Sequence, residues 1–189
     1  LAGVELVHHG QAIPNLFTRE YPIAPCDHVN KHNDPVQARA MDKADIRAFR
    51  GWHRKAALRA KSADVDLVYV YAAHDLALPQ HFLSRRRNQR TDEYGGSLEN
   101  RARLLRELIE ETKDAVGDRC GVVVRFAVDE MVGDDGITAG AEGREVTRLP
   151  FAEEEYLGEP RGDVVKFSRM MVDSGADLVA YDTESGGRV

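Results

Sequence analysis

Four short runs of apolar and β-branched residues, separated by stretches with helical periodicity, restrict this chain more than any other feature. They lie at residues 3–7, 66–71, 121–128 and 177–181. The middle two are nearly continuous in Val, Leu, Tyr and Phe, as expected of strands buried on both faces of a parallel sheet. Residues 42–61 place Ile46, Phe49, Trp52 or His53, Ala56 and Ala60 on one stripe, with Asp42 as N-cap. A second helix is capped by Ser97, carries the stripe Leu98, Leu104, Leu105, Leu108 and Ile109, and stops at Gly117, where a helix end favours a left-handed residue. A third runs from about Asp163 through Val164, Phe167, Met170 and Met171 to Gly175. Strands alternating with helices pair in parallel through right-handed crossovers, so the class is α/β.

The chemistry-capable residues narrow the architecture. His8 and His9 follow the first run, Tyr71 and His74 end the second, and Asp182 ends the fourth; Arg125 lies within the third. Polar residues gathered at the C-terminal ends of strands follow the rule of a (β/α)₈ barrel; open α/β sheets obey a similar one, but no glycine fingerprint follows any strand to favour a doubly wound sheet. A complete barrel takes roughly 250 residues, so four strands make about half of one. Residues 133–162, rich in Gly, Glu and Arg, read as an insertion or surface loop, and the whole of 1–189 as a single partial-barrel domain.

Composition removes other classes. Thirty-two acidic against 26 basic side chains give a net charge of −6, which disfavours nucleic acid as partner. No apolar run approaches the roughly 18 residues of a membrane span. The chain opens on an apolar run without the basic segment of a secretory signal, and Cys26 and Cys120 are too few for a disulfide framework; both points suit a cytoplasmic location. His8, His9, His28, His32 and His81 lack the spacing of a closed metal site, so no metal is expected.

Residues 71–103 read YAAHDLALPQHFLSRRRNQRTDEYGGSLENRAR, and the part from Asn88 to Arg101 resembles the signature of the FMN-dependent Old Yellow Enzyme superfamily that follows the fourth barrel strand. VELVHHG (4–10) is similar to the third-strand motif, QARAMDKADI (37–46) to the approach to the third helix, and VVRFAVDE (123–130) to the fifth strand. The resemblance implies strands 3 to 6 of a TIM barrel. Within the superfamily, Tyr71, His74 and Leu76 stand where ene-reductases carry a His/Asn pair and then a tyrosine proton donor, and Glu5 stands where they carry Gln. A Tyr-x-x-His pair resembles the trimethylamine and dimethylamine dehydrogenases and the dimethylglycine demethylases.

This branch implies oxidation of an N-methyl group by hydride transfer to flavin N5, with an alkylamine as substrate. Tyr71, His74 and an acid from the sixth strand would be catalytic. Asp182 is the first choice for the acid, with Asp177 and Glu184 as alternatives on spacing. Arg125, whose charge would offset that gathering at the flavin N1 and C2 oxygen, and Glu5, an acceptor for N3–H, would bind the cofactor; each could instead be satisfied by an internal ion pair. His8 and Leu76 would line the substrate pocket. An iron-sulfur cluster is expected only in the C-terminal part of longer relatives, whose cysteine motif this chain lacks. The electron acceptor stays open and a homo-oligomer is allowed. The rival readings are an ene-reductase or dienoyl-CoA-type reductase of the same superfamily, and a truncated, non-catalytic product. Four strands leave two sheet edges open, and the expectation is that these 189 residues alone do not turn over.

Overall fold

A computed structural model describes residues 1–12, 19–29, 37–74, 76–85, 87–129 and 161–183, with the side chains of 127–129, 161–165 and 181–183 outside the description. Strands β1 (Gly3–Leu6), β5 (Leu67–Ala72), β6 (Gly121–Asp129) and β7 (Leu178–Thr183) form one parallel sheet in the order β1-β5-β6-β7. Each new strand joins the same side of the one before it. That is the winding of a barrel, because a doubly wound sheet would reverse its order at a switch point. The four strands are those expected from the sequence. Most of residues 133–162 lies outside the described residues.

A smaller sheet is the main element not anticipated: β2 (Ile23–Ala24), β4 (Gln37–Ala40) and β3 (His28–Val29), in the order β2-β4-β3. Strands of two residues contain no complete period, so alternation cannot reveal them. The helices are α1 (Lys43–Ser62), the short α2 (Leu78–Leu83), α3 (Leu98–Arg101), α4 (Arg103–Val116) and α5 (Arg161–Asp173). The expected single helix from Ser97 to Gly117 is thus α3 and α4, divided at Ala102. Next to the break, buried Arg101 turns back to donate from Nε to the Leu83 carbonyl at 2.8 Å.

Asp42 caps α1 through a full capping box: its carboxylate accepts from Asp45 N at 2.8 Å, and its own N–H donates to Asp45 Oδ2 at 2.9 Å. The buried face is Ile46, Phe49, His53, Ala57 and Ala60; of the alternatives, Trp52 is 52% exposed and Ala57 takes the place expected of Ala56. That face meets Leu104, Leu105, Leu108 and Ile109 of α4, and both helices cover the apolar side of the sheet, Val68 and Val70 with Val122, Val124 and Phe126. Phe126 meets Phe167 of α5 edge-on at 4.8 Å. Burial is greater on this side, although Val4 and Leu6 at its edge are only partly covered. On the other side Val123 and Tyr71 are buried too, while Glu5 is exposed and Tyr69 and Arg125 are half-buried, so the expectation of two covered faces holds for part of the middle strands: four strands do not close around their own interior.

The segment that carries the family signature is a scaffold. Asn88 donates through Nδ2 to the carbonyls of Phe82 (2.6 Å) and Tyr94 (2.7 Å). Arg90 pairs with Asp92, reaches the carbonyls of Pro25 and Met41, and lies over the Phe82 ring. A Cβ on Gly95 would overlap the carbonyl of Arg90, so only glycine fits there. These contacts fasten the stretch between α2 and α3 to the small sheet.

No helix among the described residues is long and apolar enough to cross a membrane. One buried polar pair joins α1 to α4. Thr112 spends its hydroxyl proton on the Leu108 carbonyl (2.6 Å), so His53 Nε2, 3.1 Å away, must be the donor to Thr112 Oγ1. Burial lowers the His53 pKa to about 4. The unfolded chain therefore binds the proton more readily, and the stabilisation is complete above the unfolded value and lost as pH falls towards 4. Denaturant titrations should show about 2 kcal/mol less stability at pH 5 than at pH 7 from this residue, and a His53→Leu variant should lose that part of the slope.

Candidate functional site

Along β5, even-numbered residues face the helices and odd-numbered ones face the open side of the sheet. The same alternation holds in β1 and β6, and it gathers Glu5, Tyr71 and Arg125 on one face. Tyr71 pairs with Arg125 in the β5–β6 register, and Glu5 pairs with Tyr69 in the β1–β5 register. Arg125 Nη1 reaches diagonally across β5 to donate to Glu5 Oε1 at 2.8 Å, and its guanidinium carbon stands 5.6 Å from the centre of the Tyr71 ring.

Tyr71 and His74 meet as the spacing suggested. The phenol oxygen is hydrogen-bonded to His74 Nδ1, and the two rings lie 5.8 Å apart, inclined by 28°. His74 achieves this from a left-handed backbone conformation, with φ of 59°, which is uncommon for a residue with a side chain. The charge of Arg125, the phenol and the imidazole thus form a continuous line at the C-terminal strand ends. Side-chain exposures of 30% for Arg125 and 40% for Glu5 leave the line reachable from solvent.

The remaining candidates divide. Leu76 lies on the loop that bears His74 and is 42% exposed. His8, expected in the substrate pocket, packs against α1, where its ring meets Phe49 edge-on at 5.4 Å and lies nearly parallel to Trp52 at 6.2 Å, and it lines a cavity with Tyr21, Arg39 and Trp52. Burial first, and His9 second, lower its pKa, and it accepts the Gly10 N–H at Nδ1, 3.0 Å away. Asp177 is excluded as the acid beside His74. It precedes β7, at the opposite end of the sheet, where it pairs with Lys113 at 2.8 Å and accepts the Val122 N–H at 2.8 Å. Asp182 is in register with Ala127 near the C-terminal end of β7; its side chain and all of Glu184 lie outside the described residues. His9, given no role from the sequence, is bonded to the Leu76 carbonyl. Only the adjacency of His8 and His9 hinted at it, and adjacency does not name a partner 67 residues away.

The profile of the NADH:flavin oxidoreductase / NADH oxidase family matches residues 1–182. This chain belongs to that family. Its members are FMN-dependent oxidoreductases. The chain is 55% identical to the solved structure of 6-hydroxypseudooxynicotine amine oxidase from Pseudomonas geniculata N1, with a TM-score of 0.66 over 68% of this chain and 19% of that one. It is 33% identical to dimethylamine dehydrogenase of Hyphomicrobium sp. (strain x) over 76% of this chain and 20% of the relative. With NADPH dehydrogenase of Bacillus cytotoxicus it shares 32% identity over 100% of this chain and 45% of the relative. It therefore spans less than half the length of each.

The donor set fits the polar edge of an isoalloxazine ring: a cation and a carboxylate, fixed against each other on an accessible sheet face, complement an edge that carries both carbonyl acceptors and an N–H. Replacing Asp177 by Asn should lower the denaturation midpoint by removing its pair with Lys113 and leave FMN affinity within about twofold. A larger loss of affinity, measured by flavin fluorescence, would show that the two ends of the sheet are coupled.

Proposed function

We propose that this chain carries half of an FMN-dependent amine-oxidising site, in which Tyr71 and His74 receive the amine and Glu5 and Arg125 hold the flavin ring. The observation that carries the reading is the Tyr71–His74 hydrogen bond beside the Arg125 guanidinium. Bound FMN supplies a two-electron acceptor for the hydride leaving the carbon attached to nitrogen.

Loss of a hydride from that carbon needs the nitrogen lone pair, so an amine that arrives as an ammonium ion must first give up a proton. The linked phenol and imidazole can take that proton while the nitrogen rests against them. Arg125, close to the Tyr71 ring, offsets the negative charge that the phenol oxygen gains when its proton is shared with His74. Water then adds to the iminium carbon, giving a carbonyl compound and the shortened amine or ammonia. Asp182 is proposed as the residue that orients His74, on its position at the C-terminal end of β7. An N-methyl group is one carbon of the required kind. Likeness to both an amine oxidase and dimethylamine dehydrogenase supports the wider class of amines.

A second reading, alkene reduction with a nicotinamide donor, is favoured by the likeness to NADPH dehydrogenase along the whole chain. Against it stands Leu76, which has no proton to give the second alkene carbon. Titration of the chain with FMN should quench flavin fluorescence with micromolar affinity, and Arg125→Ala should weaken binding at least about tenfold, the value of one lost charge-assisted contact. Undiminished binding by the variant would remove Arg125 from the flavin site. In the FMN complex, an alkylamine should shift the His74 ring resonances, and Tyr71→Phe should abolish the shift. Shifts caused by an enone and not by an amine would favour the reductase.

A further inference from the structure

We propose that His9 is a positioning residue that holds the His74 loop in its working conformation by a hydrogen bond across two strand ends. The inference rests on the reading of Tyr71 and His74 as the amine-receiving pair. Its test requires no turnover.

Among the described residues, two bonds cross between the segment after β1 and the segment after β5. His9 Nδ1 lies 3.0 Å from the Leu76 carbonyl, and the Leu78 N–H donates to the His8 carbonyl at 2.8 Å. A carbonyl can only accept, so His9 carries its proton on Nδ1. His8 is the reverse: the Gly10 N–H occupies its Nδ1, and its proton is on Nε2. Adjacent histidines are thereby fixed in opposite tautomers, one bound into its own turn and the other tied to the neighbouring loop.

That loop needs an outside restraint. His74 holds a left-handed conformation that is strained for a residue with a Cβ, and it is the conformation in which its imidazole meets Tyr71. Inside the loop the Leu76 N–H reaches the Ala73 carbonyl at 3.3 Å, a long bond. The two crossing bonds are shorter. The first fastens the Leu76 carbonyl, two residues beyond His74, to His9 just after β1, the strand that also carries Glu5, and the second holds Leu78 to the His8 carbonyl. One histidine side chain thus links the cofactor-facing strand to the proton-handling pair.

The experiment compares His9→Asn and His9→Leu in the full chain. An Asn amide nitrogen lies the same number of bonds from Cα as imidazole Nδ1 and keeps a donor there; Leu keeps bulk without the donor. Long-range ¹H–¹⁵N spectra of the histidine rings report the hydrogen bond at His74 Nδ1, and buried His53 serves as an internal standard of folding. In His9→Leu the His74 Nδ1 signal should move to that of an imidazole exchanging between tautomers, with His53 unmoved, and His9→Asn should restore most of the original position. An unmoved His74 signal in His9→Leu would overturn the proposal. So would equal displacement in both variants, or a displacement of His53 as large as that of His74, since either would mean that packing and not the donor matters. Absence of an amine effect in otherwise supportive spectra would count against the proposed function and leave the role of His9 intact.

Discussion

Side chains of the β1-β5-β6-β7 ladder must alternate between two environments, and most of what this chain can do follows from how the two are filled. One side is given over to Val68, Val70, Val122, Val124 and Phe126 beneath α1, α4 and α5. A polar residue there would need a partner in a dry core. Charge and proton-carrying groups are accordingly placed on the other side, and the parallel register brings residues separated by 120 positions into one ion pair, Glu5 with Arg125. Their opposite charges offset each other on a face that solvent still reaches. Tyr71, between them in the sheet, takes its place in the same line.

The (βα) connections add a second constraint. Each strand of a parallel pair must begin at the same end of the sheet, so the loops that leave the strands collect at the other. His74 and Leu76 leave β5 beside His8 and His9 leaving β1, and the loops bond directly. Asp177 shows the converse. It comes before its strand, so the same rule sends it to the far end, where its carboxylate caps Val122 and pairs with Lys113. An acid and a histidine on suitable spacing in sequence can be a whole strand length apart.

The most recognisable stretch of the chain is the one with least direct chemistry. Asn88, Arg90, Asp92, Gly95 and Arg101 spend their polar groups on carbonyls and on one another, joining the small sheet to α2 and α3. Such a stretch tolerates little change because each buried donor has a specific acceptor, and losing one leaves the other unsatisfied at a cost of about 1–3 kcal/mol. It identifies the family through the scaffold. The branch proposed for it rests on a few other positions, Tyr71, His74, Leu76 and Glu5.

The four strands, α1 with its Asp42 cap and the stops at Gly117 and Gly175 were legible in the sequence because each rests on interactions a few residues apart: alternation, helical stripe, cap. Tyr71 and His74 were legible as a pair for the same reason, being three residues apart at a strand end. The two-residue strands β2 and β3 were not, since they exist only through pairing with β4. Which of Trp52 and His53 is buried, which way His8 turns, what Arg125 pairs with and what His9 holds were decided by the tertiary structure alone. Each depends on a partner brought close by the parallel ladder or by helix packing, and no local pattern encodes the distance between residues that meet only when the sheet has formed.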